Sequence, residues 1–365
     1  MKILIGADLV PKKTEVNELF IKGDVQTLFN EVAELAKKAD RFIVNLECAL
    51  THENKEIQKF GSCLKADPKC ADTFKKAGIT DIALANNHVF DFGKKGLLDT
   101  MENLERVGLP YMGIGENDVD SRKIYYIETA DKKVAVVNVC EHEYSYALPD
   151  RIGANPYDPY LTMQDIREAK KNADYAIVLY HGGKEHCQYP SPRLRNLCRE
   201  MVYCGADVVV TQHSHCIGCY EEFEGGHILY GQGNFHFCWD NDTEMWNTSL
   251  LVELTLDKGV KINFIPLVTT DNQLGIDVAK GEKKERILKE FQARNEELRS
   301  GKWKDGWHAF CEKFQGMYKG ALRNLETPET KEQQTQLFAH YLDCEAHTDV
   351  WRELFPTWNQ TNEKQ

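Results

Sequence analysis

The sequence predicts an α/β fold built on a largely parallel sheet over roughly residues 1–270, followed by a helical appendage over residues 271–365. Three observations predict it. From Met1 to about Pro266, short apolar runs of strand length alternate with helical patterns, the sequence form of βα units. After Asp207 the pattern changes to strand-like segments separated by turns, which predicts antiparallel hairpins in a mixed or second sheet. From about Asp277 the chain becomes dense in Lys and Glu, keeps helical spacing and loses its strand signal.

Taken in order, the strand runs are Ile3-Leu4-Ile5, Phe42-Ile43-Val44, Ile82-Ala83-Leu84, Ala135-Val136-Val137, Ala176-Ile177-Val178-Leu179 and Val208-Val209-Val210. Between them, Asp67-Pro68 offers a helix N-cap with proline in the first turn, and Thr162 with Asp165 has the spacing of a capping box. The turns Glu224-Gly225-Gly226-His227 and Asp257-Lys258-Gly259 separate the later strands. In the appendage, Trp303, Trp307, Phe310, Phe314 and Tyr318 recur at three- and four-residue intervals, which reads as a helix face packed on the main domain, with a ligand or partner surface as the alternative. Residues 361–365 read as a frayed tail.

Composition narrows the function. The 365 residues are 42% hydrophobic and 28% charged, an ordinary globular balance. A net charge of −12 argues against diffuse attraction to nucleic acid or anionic lipid. No run of 18 apolar residues offers a membrane span. The apolar stretch Ile3 to Ala7 is too short for a signal sequence and is interrupted by Asp8, so the twelve cysteines read as mostly reduced thiols of a cytoplasmic protein rather than a disulfide framework. Cys216-Ile217-Gly218-Cys219 is half of a structural zinc site with no second pair at the needed spacing, and reads as buried thiols. Gly113-Ile114-Gly115 lacks the further glycine or lysine of a nucleotide loop, and no Gly-x-Ser-x-Gly elbow is present.

Metal-binding residue types collect at the carboxyl ends of the apolar runs: Asp8, Glu47, Asn86-Asn87-His88, His181 and His213-Ser214-His215. In open α/β sheets ligands bind in the crevice beyond the strand carboxyl ends, so one site accounts for all five positions. Carboxylate, amide oxygen and imidazole together suit manganese, iron(II) or zinc, whereas an all-oxygen set would favour calcium or magnesium. One ion or two is open; two metals about 3.5 to 4 Å apart would activate water and clamp both oxygens of a displacement.

The ordered set Gly6-Ala7-Asp8, Asn45-Leu46-Glu47, Ala85-Asn86-Asn87-His88 with Asp91 and Gly93, His181-Gly182-Gly183-Lys184-Glu185, Gly205-Ala206-Asp207, His213-Ser214-His215 and Tyr230-Gly231-Gln232-Gly233-Asn234-Phe235 resembles the CapA, or poly-γ-glutamate capsule synthesis, family, which shares the fold of calcineurin-like metallophosphoesterases. The resemblance implies an αββα sandwich over residues 1–270 with the C-terminal helices outside it. It implies Asp8, Asn87, His181, His213 and His215 as metal ligands, with Glu47 where related phosphoesterases place a bridging aspartate. By the same analogy His88 protonates a leaving oxygen and Asp91 holds its ring in the required tautomer. Lys184 and Glu185 either contact substrate or belong to a solvated loop. Asn234 reads as a structural amide. The chain departs from the pattern at Val10, where metallophosphoesterases carry another histidine.

Two functions follow. One is a metal-dependent hydrolase acting on a phosphoester, or on a γ-glutamyl or amide bond, in a small molecule or an anionic polymer. The other is a non-hydrolytic accessory of capsule or poly-γ-glutamate biosynthesis that binds an anionic chain. The loops 51–66 and 141–161 are where specificity is expected. Nothing in the sequence sets the oligomeric state.

Overall fold

Strand residues that point to opposite faces are buried on both, and this sets the layering. In the strand Lys2–Leu9, Ile3 and Ile5 join one apolar cluster while Leu4, Ala7 and Leu9 join another. In Tyr175–His181, Ile177 and Leu179 join the first of these clusters, and Ala176, Val178 and Tyr180 a third. A sheet apolar on both faces has to be covered on both. The shared cluster lies between two sheets, and helices cover their outer faces. The computed structural model, which describes residues 1–239, 243–323, 325 and 331–356, is therefore a four-layer αββα sandwich. The tail at 361–365 lies outside the described residues.

Across the first sheet the strands run Tyr111–Met112, Asp81–Ala83, Arg41–Leu46, Lys2–Leu9, Thr248–Leu256, Val260–Thr269 and Ile276–Val278. The first four are parallel to one another and the last three antiparallel. Asn234–His236 pairs in parallel beside the end of Lys2–Leu9. The second sheet runs Tyr125–Glu128, Lys133–Cys140, Tyr175–His181, Val208–Gln212, Gly226–Gln232 and Ile217–Phe223, with its four inner strands parallel. Both expected hairpins form, one through Glu224 and Gly225 at φ 46° and 82°, the other through 257–259.

Buried amides join the sheets near their carboxyl edge. Gln232 Nε2 donates to the carbonyls of Ile5 (2.6 Å) and Leu250 (2.9 Å), and Gln212 Nε2 to that of Gly6 (3.1 Å). Helix starts follow local chemistry: Ser191 accepts from the Leu194 N–H at 3.0 Å, with Pro192 opening the helix Pro192–Tyr203. The capping box expected at Thr162 and Asp165 does not form. Asp158 accepts from the N–H groups of Tyr160 and Leu161, so Thr162 lies inside the helix Leu161–Lys171 and Asp165 pairs with Arg122.

Sheet pairing continues to Val278, and helices occupy Gly281–Ser300, Trp303–Arg323, Lys331–Asp343 and Glu345–Leu354. Trp303, Trp307 and Tyr318 are buried in the apolar cluster outside the second sheet, together with Tyr341 and Val350. The last helices are also tied down by polar contacts. Glu345 accepts from the His142 backbone N–H at 2.9 Å and meets its Nδ1 at 2.6 Å; Tyr146 donates to Asp343 at 2.8 Å; Ser191 and Arg193 donate to Asp349 at 2.6 and 2.9 Å. The Glu345 hydrogen bond raises the pKa of His142 above its usual 6.5, against the opposing effect of burial. A raised histidine pKa contributes stability that is full below the unfolded value and lost as pH rises through the folded one. The stability gap between wild type and Glu345→Gln, expected at about 1 kcal/mol, is therefore widest below pH 6.5 and narrows above it. Thermal unfolding of both proteins between pH 5.5 and 8.5 checks this; a gap that widens with pH would contradict it.

Candidate metal centre

Parallel strands place their carboxyl ends at one edge, and the two sheets bring these edges together. From the first sheet come Asp8 within Lys2–Leu9, Glu47 one residue after Arg41–Leu46, and Asn87 and His88 after Asp81–Ala83. From the second come His181, which ends Tyr175–His181, and His213 and His215 after Val208–Gln212. The register between Lys2–Leu9 and Arg41–Leu46 shifts between Gly6 and Asp8, an irregularity of the kind that re-aims a side chain.

At the centre is Glu47, fully buried, with neither carboxylate oxygen hydrogen-bonded. His181 Nε2 lies 3.3 Å from Glu47 Oε1 without hydrogen-bond alignment, and His213 Nδ1, also lacking a hydrogen bond, lies 4.0 Å away. Glu47, His213 and His215 each offer a donor atom within 4.8 Å of the others. Asn87 Oδ1 is 3.0 Å from His181 Nε2, and Asp8 Oδ2 is 3.4 Å from His215 Nδ1. A buried carboxylate without partners costs several kcal/mol unless a cation compensates it. The oxygen and imidazole donors fit a divalent transition metal. Val10 is buried and supplies no donor atom, so the histidine expected by analogy is not replaced from that position.

The electrostatics agree with that fit. Burial alone would lower the pKa of His213 and His215, but Glu143 and Glu47 push His213 up to about 10, and Glu47 and Asp8 push His215 up to about 9. Burial would raise that of Glu47, but the neighbouring imidazoles hold it well below the usual carboxylate range. The cluster attracts positive charge.

The surrounding chain holds this geometry. Asn45 Nδ2 donates to Asp8 Oδ1 at 2.8 Å, and Asn86 Nδ2 donates to Asn45 Oδ1 and the Leu46 carbonyl. Asn234 joins His215 Nδ1 (2.9 Å) to the Trp246 carbonyl (3.1 Å). His213 and His215 have φ of 87° and 53°, and His186 and Tyr144 beside them 61° and 58°. Left-handed backbone in four non-glycine residues of one site is strain held by its surroundings. After His181, a Cβ on Gly182 would lie 2.6 Å from the Glu141 side chain, and Gly183 at φ 94° donates to Glu141 Oε2. This turn brings Lys184 and Glu185 to the cleft.

At the rim, His88 Nδ1 is 2.6 Å from Asp91 Oδ2, and Asp91 also accepts from the Leu64 N–H at 2.7 Å. Lys184 and Glu185 line the cleft, with Lys184 Nζ 3.7 Å from Glu185 Oε2. Sequence reasoning missed Lys59, whose side chain is 2% exposed, pairs with Asp91 and lies 3.1 Å from His88 Nδ1. Glu143 belongs to the loop 141–161, whose Glu141, His142, Glu143, Tyr144 and Arg151 read as able to line a pocket or as ordinary surface; it lines the cleft, its Oε2 3.4 Å from His213 Nε2 and its Oε1 3.6 Å from His340 Nε2. Burial works to raise the pKa of Glu143, but His213 and His340 outweigh it and hold the carboxyl low. Both residues sit in the loops expected to carry specificity, but no spacing rule selects them there. All twelve cysteines are free; Cys216 and Cys219 are buried, and burial pushes both thiols up to about 12.

The four-layer sandwich thus carries, across its strand ends, a carboxylate and imidazole cluster that is a candidate divalent-metal site. A family model described as bacterial capsule synthesis protein PGA_cap matches residues 5–238, and the chain belongs to that family. It is 32% identical over 263 residues to the capsule biosynthesis protein CapA of Bacillus anthracis, covering 69% of this chain and 64% of that one. It is 30% identical over 241 residues to the PGA biosynthesis protein CapA of Bacillus subtilis (strain 168), covering 64% and 62%. The chain thus spans just under two thirds of the length of these curated relatives. Among solved structures, the 5'-nucleotidase precursor from Thermus thermophilus aligns with a TM-score of 0.45 and 12% identity, covering 82% of this chain and 59% of that one.

Protein purified without chelator is expected to carry at least about half an equivalent of manganese, iron or zinc, and Glu47→Gln to lose metal affinity by about 10-fold or more. Elemental analysis and metal titration of both check this. Equal metal content in the two proteins would remove Glu47 from the site.

Proposed function

We propose that the chain is a metal-dependent hydrolase that uses phosphoesterase-type chemistry on a phosphoester, or on a γ-glutamyl or amide bond, with Asp8, Glu47, Asn87, His181, His213 and His215 holding one or two ions of manganese, iron or zinc. The observation that carries this reading is the buried Glu47 carboxylate, unpartnered among imidazoles from the opposite sheet. When bound, the metal supplies a Lewis acid and a water of lowered pKa.

The rim residues supply the rest. Asp91 accepts the Nδ1 proton of His88, which directs Nε2 to carry the proton a leaving oxygen needs. The buried Lys59 side chain pairs with Asp91 and adds positive charge where an anionic substrate would sit. Lys184 and Glu185 orient the substrate. The αββα body, whose first sheet runs on to Val278, then carries the chemistry, and the helices between Gly281 and Leu354 form its extension.

The alternative is a non-hydrolytic accessory of capsule or poly-γ-glutamate biosynthesis that binds an anionic polymer in the same cleft. The names of the two Bacillus relatives favour it, and the paired His88 and Asp91 favour hydrolysis. Among the described residues no helix is long and apolar enough to cross a membrane. Twelve free thiols support a reducing, cytoplasmic setting.

His88→Ala is expected to keep its metal content and to lose about 10² to 10⁴ in rate on bis-p-nitrophenyl phosphate. Undiminished turnover would remove the assigned acid, and a metal-loaded wild type inert toward phosphodiesters, phosphomonoesters and γ-glutamyl amides alike would favour the accessory role.

A further inference from the structure

The cleft over the metal centre has a volume of about 420 Å³ and is lined by three kinds of surface. One is the polar end already described. The second is Phe237, Trp239 and Trp246, which follow the strand Asn234–His236; Phe237 and Trp246 meet with ring centres 4.9 Å apart. The third comes from the C-terminal helices: Phe310, Phe314 and Met317, backed by Tyr318, Tyr341 and His347.

The helical face is divided. Trp303, Trp307 and Tyr318 are spent on the core, whereas Phe310 and Phe314 are only half-buried and Met317 is 56% exposed. Across the loops, Phe60 is 46% exposed and lines the same cleft. Large apolar side chains left accessible in a concave site next to buried charge are the usual construction of a small-ligand pocket, in which apolar walls bury the ligand body and a few polar groups fix one end. The wall is also joined to the metal centre. His340, stacked on Tyr144 with ring centres 4.9 Å apart, faces Glu143, and Glu143 faces His213. The helix Lys331–Asp343 therefore forms the end of the cleft beside the metal ligands.

We infer that the C-terminal helices determine specificity: they close the strand-end crevice into a pocket for a compact anion that carries a planar apolar group, the anion lying at the metal, Lys59 and Lys184, and the apolar group against Phe310, Phe314 and Met317. The inference rests on the metal-dependent reading of the same cleft. Its substrate is a small ester or amide with an aromatic or similarly flat substituent, or a chain end, and not the middle of an extended polyanion. An extended chain of carboxylates would place charge against an aromatic wall and would need a groove open at both ends. Lys59 and Lys184 match the anionic head, and the 420 Å³ volume lies within the range of small-molecule sites.

The test compares methylphosphonate and phenylphosphonate, which are not hydrolysed, by calorimetric titration into the full-length metal-loaded protein. Wild type is expected to bind phenylphosphonate about 10-fold more tightly, since burying one aromatic ring is worth at least that factor. Phe314→Ala and Met317→Ala are each expected to reduce the ratio to about 3-fold or less while leaving methylphosphonate affinity within about 2-fold. Unchanged methylphosphonate binding shows that each variant is folded and metal-loaded, and Met317 is exposed enough to be replaced without loss of core. Methylphosphonate binding with no gain from the phenyl group, or a gain untouched by both variants, overturns this inference and leaves the metal-dependent reading standing. Failure of both phosphonates to bind wild type overturns the two together.

Discussion

The rest of the structure depends on how the two sheets meet. The apolar layer of Ile3, Ile5, Ile177 and Leu179 joins them strongly but without direction, because burial of hydrocarbon is indifferent to small sliding. Direction comes from the amides of Gln212 and Gln232, which reach across the layer to the carbonyls of Gly6, Ile5 and Leu250. A buried amide left unpaired costs about 1 to 3 kcal/mol, so each of these bonds penalises a shifted register. They lie next to the carboxyl edge, where a carboxylate from one sheet has to meet imidazoles from the other.

That alignment lets the protein keep an unfavourable arrangement. Glu47 is buried without a donor, and four residues around it hold left-handed backbone. Neither would persist on a mobile loop. Asn45 bonds Asp8 and is itself held by Asn86, which also bonds the Leu46 carbonyl, and Asn234 ties His215 to the Trp246 carbonyl. The scaffold thus holds a candidate cation site in place, at a cost in stability that the three apolar clusters offset.

The C-terminal segment shows how far sequence pattern reaches. Aromatic residues at helical spacing said that one face of the helix Trp303–Arg323 is apolar, and Trp303, Trp307 and Tyr318 are indeed buried. The same spacing cannot distinguish Phe310 and Phe314, which border the cleft, because periodicity describes a face and not what lies opposite it. His340 and His347 carried no signal at all. They matter through Glu143 and Tyr318, residues distant in sequence that only folding brings near. Lys59 is a similar case: a lysine in a polar loop reads as solvated until Asp91 and the cleft wall surround it.

What the sequence determined by itself was the set of strands and the chemistry at their ends. Alternating βα pattern forces parallel strands, parallel strands share a carboxyl edge, and Asp8, Glu47, Asn87, His181, His213 and His215 stand at that edge by position alone. The pairing of His88 with Asp91 came from the family resemblance, and the tight turn through Val89 and Phe90 lets it form. Tertiary structure decided the rest: which sheet faces which, that Glu47 is left without a donor, that Glu143 joins a metal-ligand candidate to the last helices, and that those helices wall the pocket. These depend on side chains brought close through the packing of layers, and the distance between layers is set by volume and register, quantities that no local stretch of sequence contains.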